Sequence, residues 1–272
     1  MQELGTINIV KHPRITMRIS SKSLSFATVD NTVETQVAYE PFTAKSGMSI
    51  AANMREAFRT AALLGRDYQR AQILLDANVL MIPVEEFDES TKEALYRHSF
   101  PNADNDIILQ SIVPNLNGVA VFGINKDLKM VLEDHFQDVR YTPIAQPVWS
   151  YMHNRSFSGS NRKLYGYFHD DKLEIFSFDK NRFKFCNCYD TNRANDAVYF
   201  LLYVWKQLAL DAEKDELCIA GEVPDREQTI ATLKKYVRQA YFINPAGEFN
   251  RAPITQVKGI TLDLITLFLK GK

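Results

Sequence analysis

Residues 23–32 read SLSFATVDNT, and residues 172–181 read KLEIFSFDKN. Leu24, Phe26, Thr28, Val29 and Asp30 answer in order to Leu173, Ile175, Ser177, Phe178 and Asp179. Alternating apolar positions that run into an Asp/Asn turn describe a strand entering a hairpin. The same strand and the same aspartate recur about 149 residues apart. That is far longer than a solenoid period of roughly 20–50 residues. It points to one unit written twice.

The flanking sequence extends the match. After the first stretch, TVETQVAYEPF (32–42) reads as the returning strand, and SIAANMREAFRTAALLG (49–65) as a helix. Ser49 suits its N-cap, Ile50, Met54, Ala57, Ala61 and Leu64 share a face, and Gly65 suits its end. AQILLDANVLMIPV (71–84) reads as one buried strand. In the second half, residues 163–190 read as three strands with turns at His169-Asp170-Asp171 and Asp179-Lys180-Asn181. NDAVYFLLYVWKQLAL (195–210) reads as a helix apolar on most sides, hence sandwiched. ELCIAG (216–221) reads as a short buried strand, and DREQTIATLKKYVRQ (225–239) as a helix with Asp225 and Gln228 at capping-box spacing. Each half is thus strand, strand, strand, helix, strand, helix: mixed sheets of an α/β protein, not one doubly wound parallel sheet. The polar stretch NRSFSGSNRK (154–163) is the linker candidate and divides the chain into residues 1–155 and 156–272.

Composition narrows the classes. With 46% apolar residues in 272, the chain can bury a large core. Its 32 basic and 33 acidic residues nearly cancel, so no general field draws it to nucleic acid or an anionic membrane. Three cysteines, Cys186, Cys188 and Cys218, make no disulfide framework and suit a reducing cytoplasm. No apolar run reaches transmembrane or signal-peptide length. The opening segment is mildly basic, with Lys11, Arg14, Arg18 and Lys22 against Glu3. Because Ile15, Met17 and Ile19 alternate with polar residues, it reads as a solvated lead-in strand.

The duplicated strand–hairpin–helix unit resembles the actin-like ATPase (ribonuclease H-like) fold, with two similar halves around a cleft. IVPNLNGVAVFGINKDLKMVLEDHFQDVRYTPIAQPVWSYMH (112–153) resembles a passage of PilM-type pilus-assembly proteins. Most of residues 22–270 also look similar to an uncharacterised bacterial family, a domain of unknown function with that fold. The resemblance implies that the repeated hairpins are phosphate clamps, each with an aspartate near a hydrated Mg²⁺ and a following glycine that lets backbone N–H groups reach phosphate oxygens. It puts Asp30, Asn31 and Thr32 in one clamp, Asp179, Lys180 and Asn181 in the other, and Gly221 against the adenosine. The glycines are missing: the turns read VDNT and FDKNR, and Gly221 follows Ala220, not a second glycine. No G-x-x-x-x-G-K-[ST] or G-x-G-x-x-G occurs.

Other constellations are thinner. Cys186 and Cys188 share a strand face without further ligands at metal spacing. His12, His98, His135, His153 and His169 are scattered. The aromatics of the second half, from Tyr165 to Trp205, read as core before they read as a partner-binding patch. The glycine-less turns favour a non-catalytic partner-binding or scaffold protein with degenerate phosphate loops, whose partner is another protein. The competing class is an ATPase or small-molecule kinase using Mg-ATP in the cleft between the halves.

Overall fold

The computed structural model describes residues 13–191 and 194–270. Lys11 and Glu3 of the basic opening segment lie outside the described residues. The chain opens with β1 (Arg14–Ile19), β2 (Leu24–Val29) and β3 (Val37–Phe42), then α1 (Ile50–Thr60) and β4 (Arg70–Leu75). A unit made of β5 (Val79–Pro83), α2 (Lys92–Ser99), β6 (Asp106–Val113) and β7 (Gly118–Asn125) is inserted next. α3 (Lys126–Glu133), β8 (Asp138–Pro143) and α4 (Gln146–Ser156) complete this half. The second half runs β9 (Lys163–His169), β10 (Lys172–Asp179), β11 (Arg182–Asp190), α5 (Ala194–Gln207), β12 (Glu216–Gly221), α6 (Arg226–Leu233), β13 (Gln239–Phe242), α7 (Pro245–Glu248) and α8 (Leu262–Lys270).

The two large sheets have orders β3-β2-β1-β4-β8 and β11-β10-β9-β12-β13. Position for position these are one topology: an antiparallel meander of three strands, with two parallel strands added beside the first. The inserted unit forms a separate antiparallel sheet, β5-β7-β6.

Several local readings change. β1 is no solvated lead-in: it is hydrogen-bonded on both edges, between β2 and β4, and Ile15 to Ile19 are all buried, Thr16 and Arg18 included. An alternating pattern suggests one wet face, but α1 covers one side of this sheet and α8 reaches the other. The apolar run at 71–84 is two strands in two sheets, broken at Asp76-Ala77-Asn78 where the Asp76 N–H bonds the Ile19 carbonyl at 2.9 Å. Both strands are lined with apolar residues, so composition hides the break. The β2–β3 hairpin connects through residues 30–36, longer than a two-residue turn, with the Asp30 N–H on the Gln36 carbonyl at 3.1 Å. Ser49 caps α1 as its sequence suggests, accepting from the Ala52 N–H. Asp225 does not cap α6 with its side chain: at φ 41° it is left-handed, and the helix begins on its carbonyl, bonded by the Thr229 N–H at 2.8 Å. α5 buries Ala197, Leu201 and Val204 but leaves Tyr199 and Tyr203 exposed, so it is covered on one side only.

What joins the halves is a shared interior. α4 and α8 lie between the sheets, and one apolar cluster contains Leu74 and Ala120 from the first half, Trp149 and Met152 of α4, Tyr165 and Phe176 of the second sheet, and Leu262 and Leu264 of α8. Ile265 of α8 also packs on Ala27 and Val37 of the first sheet. A fully buried leucine cut back to alanine costs about 2–5 kcal/mol. Leu264→Ala is therefore expected to lower the melting temperature by several degrees in both halves at once. Single-tryptophan variants read this out: Trp149→Phe leaves Trp205 as reporter and Trp205→Phe leaves Trp149. Two separated transitions would show that the interior does not couple the sheets.

Candidate functional site

The turns between the first two strands of each half, residues 20–23 and 170–171, hold equivalent places in the two sheets and meet face to face. Each turn is shaped by its own sequence. The Ser20 hydroxyl oxygen accepts from the Lys22 and Ser23 N–H groups at 3.2 and 2.8 Å, closing a local turn. Asp170 and Asp171 both have positive φ, 47° and 59°, the two-residue hairpin geometry that aspartate tolerates better than most residues.

The Asp170 carboxylate is the meeting point. Ser20 and Ser23 donate their hydroxyls to its Oδ1 at 2.6 and 2.8 Å. The Arg18 guanidinium grips both oxygens, Nη2 to Oδ2 at 2.6 Å and Nη1 to Oδ1 at 3.3 Å. His169 Nδ1 stands 3.2 Å from Oδ2. A carboxylate offers about four acceptor positions, and these are taken. Arg18 turns its Nε to Asp263 of α8 at 2.9 Å, and the Tyr167 hydroxyl donates to the same Asp263 oxygen at 2.7 Å. The side chains of Arg18, Asp170 and Asp263 are 3%, 5% and 0% exposed, so these charges are compensated by one another and not by water.

A second pair adds to the seam: Lys172 Nζ bonds both oxygens of Asp76 at 2.8 and 3.0 Å. Lys22 pairs with Asp171 at the surface. Burial by itself would raise the Asp170 pKa, yet hydrogen bonds from His169, Arg18 and Ser20 hold it well below the usual carboxylate range. Burial would lower the His169 pKa, but the Asp170 and Glu174 carboxylates outweigh it and raise it to about 9. Burial and Asp263 push the Tyr167 hydroxyl well above its ordinary value.

The residues singled out from the sequence lie elsewhere. Asp30 directly follows β2, the second strand of its sheet, and Asp179 ends β10, also second. Since β2 runs antiparallel to β1, and β10 to β9, both aspartates sit at the opposite ends of the strands from the Ser20 and Asp170 turns, about 20 Å away at roughly 3.3 Å per residue. Asp30 accepts from the Thr32 N–H at 3.0 Å and the Thr32 hydroxyl on Oδ1, and pairs with Arg66 at 3.2 Å on Oδ2; Asn31 is exposed. Asp179, Lys180 and Asn181 form an exposed turn, Lys180 at φ 53°, whose Lys180 carbonyl lies 2.9 Å from His153 Nε2. No hydrogen bond, ion pair or cavity joins Asp30 to Asp179 among the described residues. Gly221 closes β12 at φ 91°, where a Cβ would stand 2.0 Å from the Phe168 carbonyl oxygen, so backbone contact alone demands glycine there. It lines a cavity of about 150 Å³ with Glu222, Arg226 and Phe242.

Sequence reasoning named the His169-Asp170-Asp171 turn but not its partners. The available signals were Arg18 between apolar neighbours in ITMRIS and Asp263 inside TLDLITLF, charges set in runs that bury. Cys186 and Cys188 are free, their thiols pushed well up by burial and by Glu174. No group of three or more His, Cys, Asp or Glu side chains among the described residues is placed to hold a metal ion. No helix among them is long and apolar enough to cross a membrane.

The two five-stranded sheets thus share one strand order, with their first-hairpin turns facing each other. Residues 5–240 match the family described as "Protein of unknown function (DUF3822)". The chain belongs to that family. A similar solved structure is a crystal structure from Bacteroides thetaiotaomicron, a protein with actin-like ATPase fold and unknown function. It is 26% identical, with 93% of this chain and 100% of that one covered and a TM-score of 0.79. The PilM–PilN type IV pilus biogenesis complex is a more distant likeness, 8% identical over 95% of this chain and 98% of that one, at a TM-score of 0.55. No curated protein matches. This DUF3822 chain thus has the actin-like ATPase fold.

Removing one partner of a buried ion pair costs about 3–5 kcal/mol, because the other charge stays buried and unpaired. Arg18→Met strands both Asp170 and Asp263, so in urea unfolding it is expected to lose that much, while Lys22→Ala, which breaks only the exposed pair with Asp171, changes little. Equal effects would mean the network is incidental. The His169 shift fixes a pH window. Its folded pKa lies above the unfolded value of about 6.5, so its contribution is complete below that pH and is lost as pH rises through about 9. Stability is expected to decline over that interval in the wild type and to decline less in His169→Gln, measured by urea midpoints along a pH series.

Proposed function

We propose that this protein is a non-catalytic, partner-binding member of the actin-like fold, in which the turns that clamp phosphates in nucleotide-binding members hold each other instead. The observation that supports this reading is the Asp170 carboxylate, whose acceptor positions are filled by Ser20, Ser23, Arg18 and His169. A Mg²⁺-nucleotide does not fit those residues. The aspartate has no free lone pair for a hydrated cation, and neither turn carries a glycine that would bring backbone N–H groups to a phosphate. Asp30, Asn31 and Thr32, like Asp179, Lys180 and Asn181, then serve as turn residues, and Gly221 as a close-packing glycine. Residues 1–155 and 156–272 are taken as the two halves of one scaffold.

Partner binding draws support from the fold neighbour solved as the PilM–PilN complex, a member of the fold found in assembly with another protein. A cytoplasmic place agrees with three free cysteines. The test is a thermal-shift titration with Mg·ATP, Mg·ADP and a non-hydrolysable ATP analogue taken to millimolar concentration. A ligand at about 100 times its Kd adds roughly 2.7 kcal/mol, several degrees for a chain of this size. No shift is expected. A shift that Asp170→Asn or Asp30→Ala abolishes would overturn the reading in favour of a nucleotide-using enzyme.

A further inference from the structure

The inserted unit leans over the open end of the first sheet and encloses a cleft of about 450 Å³. The ends of β1 and β4 form its floor, and the segment from α2 to β6 forms its wall. Three charged side chains face it: Asp76, Asp106 and Lys172. Asp76 and Lys172 neutralise one another through two hydrogen bonds. Asp106 has no such partner. Among the described residues no hydrogen bond or ion pair reaches its carboxylate. Arg97, the cation whose field acts on it, gives its N–H groups to Glu93 and to the backbone carbonyls of Ala103 and Asp106. The cleft therefore carries one uncompensated negative charge.

That charge is held in place. A Cβ on Gly123 of β7 would stand 2.8 Å from Asp106 Oδ2, so the carboxylate rests directly on the glycine backbone of the next strand. Beside it in the cleft stands the half-buried Phe100 ring, backed by the buried Tyr96 ring with centroids 4.9 Å apart. The Tyr96 ring is fixed by its hydroxyl, which donates to the Asn78 carbonyl at 3.0 Å. A lone carboxylate and an aromatic ring in one half-enclosed space are elements that recognise an organic ammonium group. Burial has already moved the Asp106 pKa upward, the direction expected of a carboxylate that lacks its counter-ion.

We propose that this cleft binds a small protonated primary amine with an apolar body, its ammonium on the Asp106 carboxylate and its body against Phe100. Anionic ligands are excluded by the same uncompensated charge. The site stands on residues other than the Arg18–Asp170 network, so the nucleotide titration does not decide it.

The probe is 2-phenylethylamine, with 2-phenylethanol as its uncharged counterpart, followed by ligand-observed NMR and calorimetry on the full chain at neutral pH. Saturable binding of the amine is expected, with the alcohol roughly tenfold weaker or more, a difference of about 1.4 kcal/mol. Asp106→Asn is expected to remove that preference. Asn102→Trp, at the exposed rim, is expected to block entry without touching the carboxylate, and it stands in if Asp106→Asn fails to fold. Absence of amine binding at millimolar concentration overturns the proposal. So does equal binding of amine and alcohol, or amine binding that both variants leave unchanged.

Discussion

Arg18 is the residue on which the joining of the two halves turns. It sits on the central strand of the first sheet, and its guanidinium spans Asp170 at the first hairpin of the second sheet and Asp263 on the last helix. Three pieces of chain far apart in sequence converge on one planar group. A lysine would not replace it, since an ammonium is a point charge without the fork that grips a carboxylate through two N–H groups while a third reaches another acid. Burying such charges is costly, and the Coulomb attraction offsets the cost only when every donor and acceptor is satisfied. Here the serine hydroxyls, His169 and Tyr167 supply the remaining bonds.

This network and the apolar interior act on the same seam by different physics. The cluster around Trp149, Tyr165 and Leu264 supplies non-directional stabilisation, in proportion to the area removed from water. It would tolerate small slides of one sheet against the other. The hydrogen-bonded charges would not, because a shift of an ångström leaves a buried carboxylate unpaired. The Asp76–Lys172 pair adds a second fixed point between the end of β4 and the start of β10. Protein side chains span the seam between the first-hairpin turns of the two sheets and fix how the halves are placed.

The inserted unit has its own apolar cluster, around Tyr96, Ile108 and Val121, and approaches the first sheet without merging into it. That leaves a cleft above the ends of β1 and β4, with Asp106 as its unmatched charge. The molecule thus treats its acids in two ways: Asp170 and Asp263 are enclosed by donors, Asp106 is not.

Much of the plan was present in the sequence alone. The recurrence of Leu24 to Asp30 at Leu173 to Asp179, the Ser49 cap and the period-two strands of the second half determined two similar mixed sheets, because strand and helix periods are set by backbone geometry at each position. The hairpin turn at Asp170-Asp171 was legible for the same reason. What the sequence could not convey was which strand is central, since β1 alternates in the same way whether one face or both are covered. Asp30 and Asp179 follow matching second strands, but they lie at the far ends of β2 and β10 from the turns that meet across the halves. Arg18, Asp170 and Asp263 are separated by up to 245 residues, and no local pattern links them. Only the packing of α8 between the sheets brings them together, because hydrogen bonding and charge compensation depend on distance in space and are indifferent to distance along the chain.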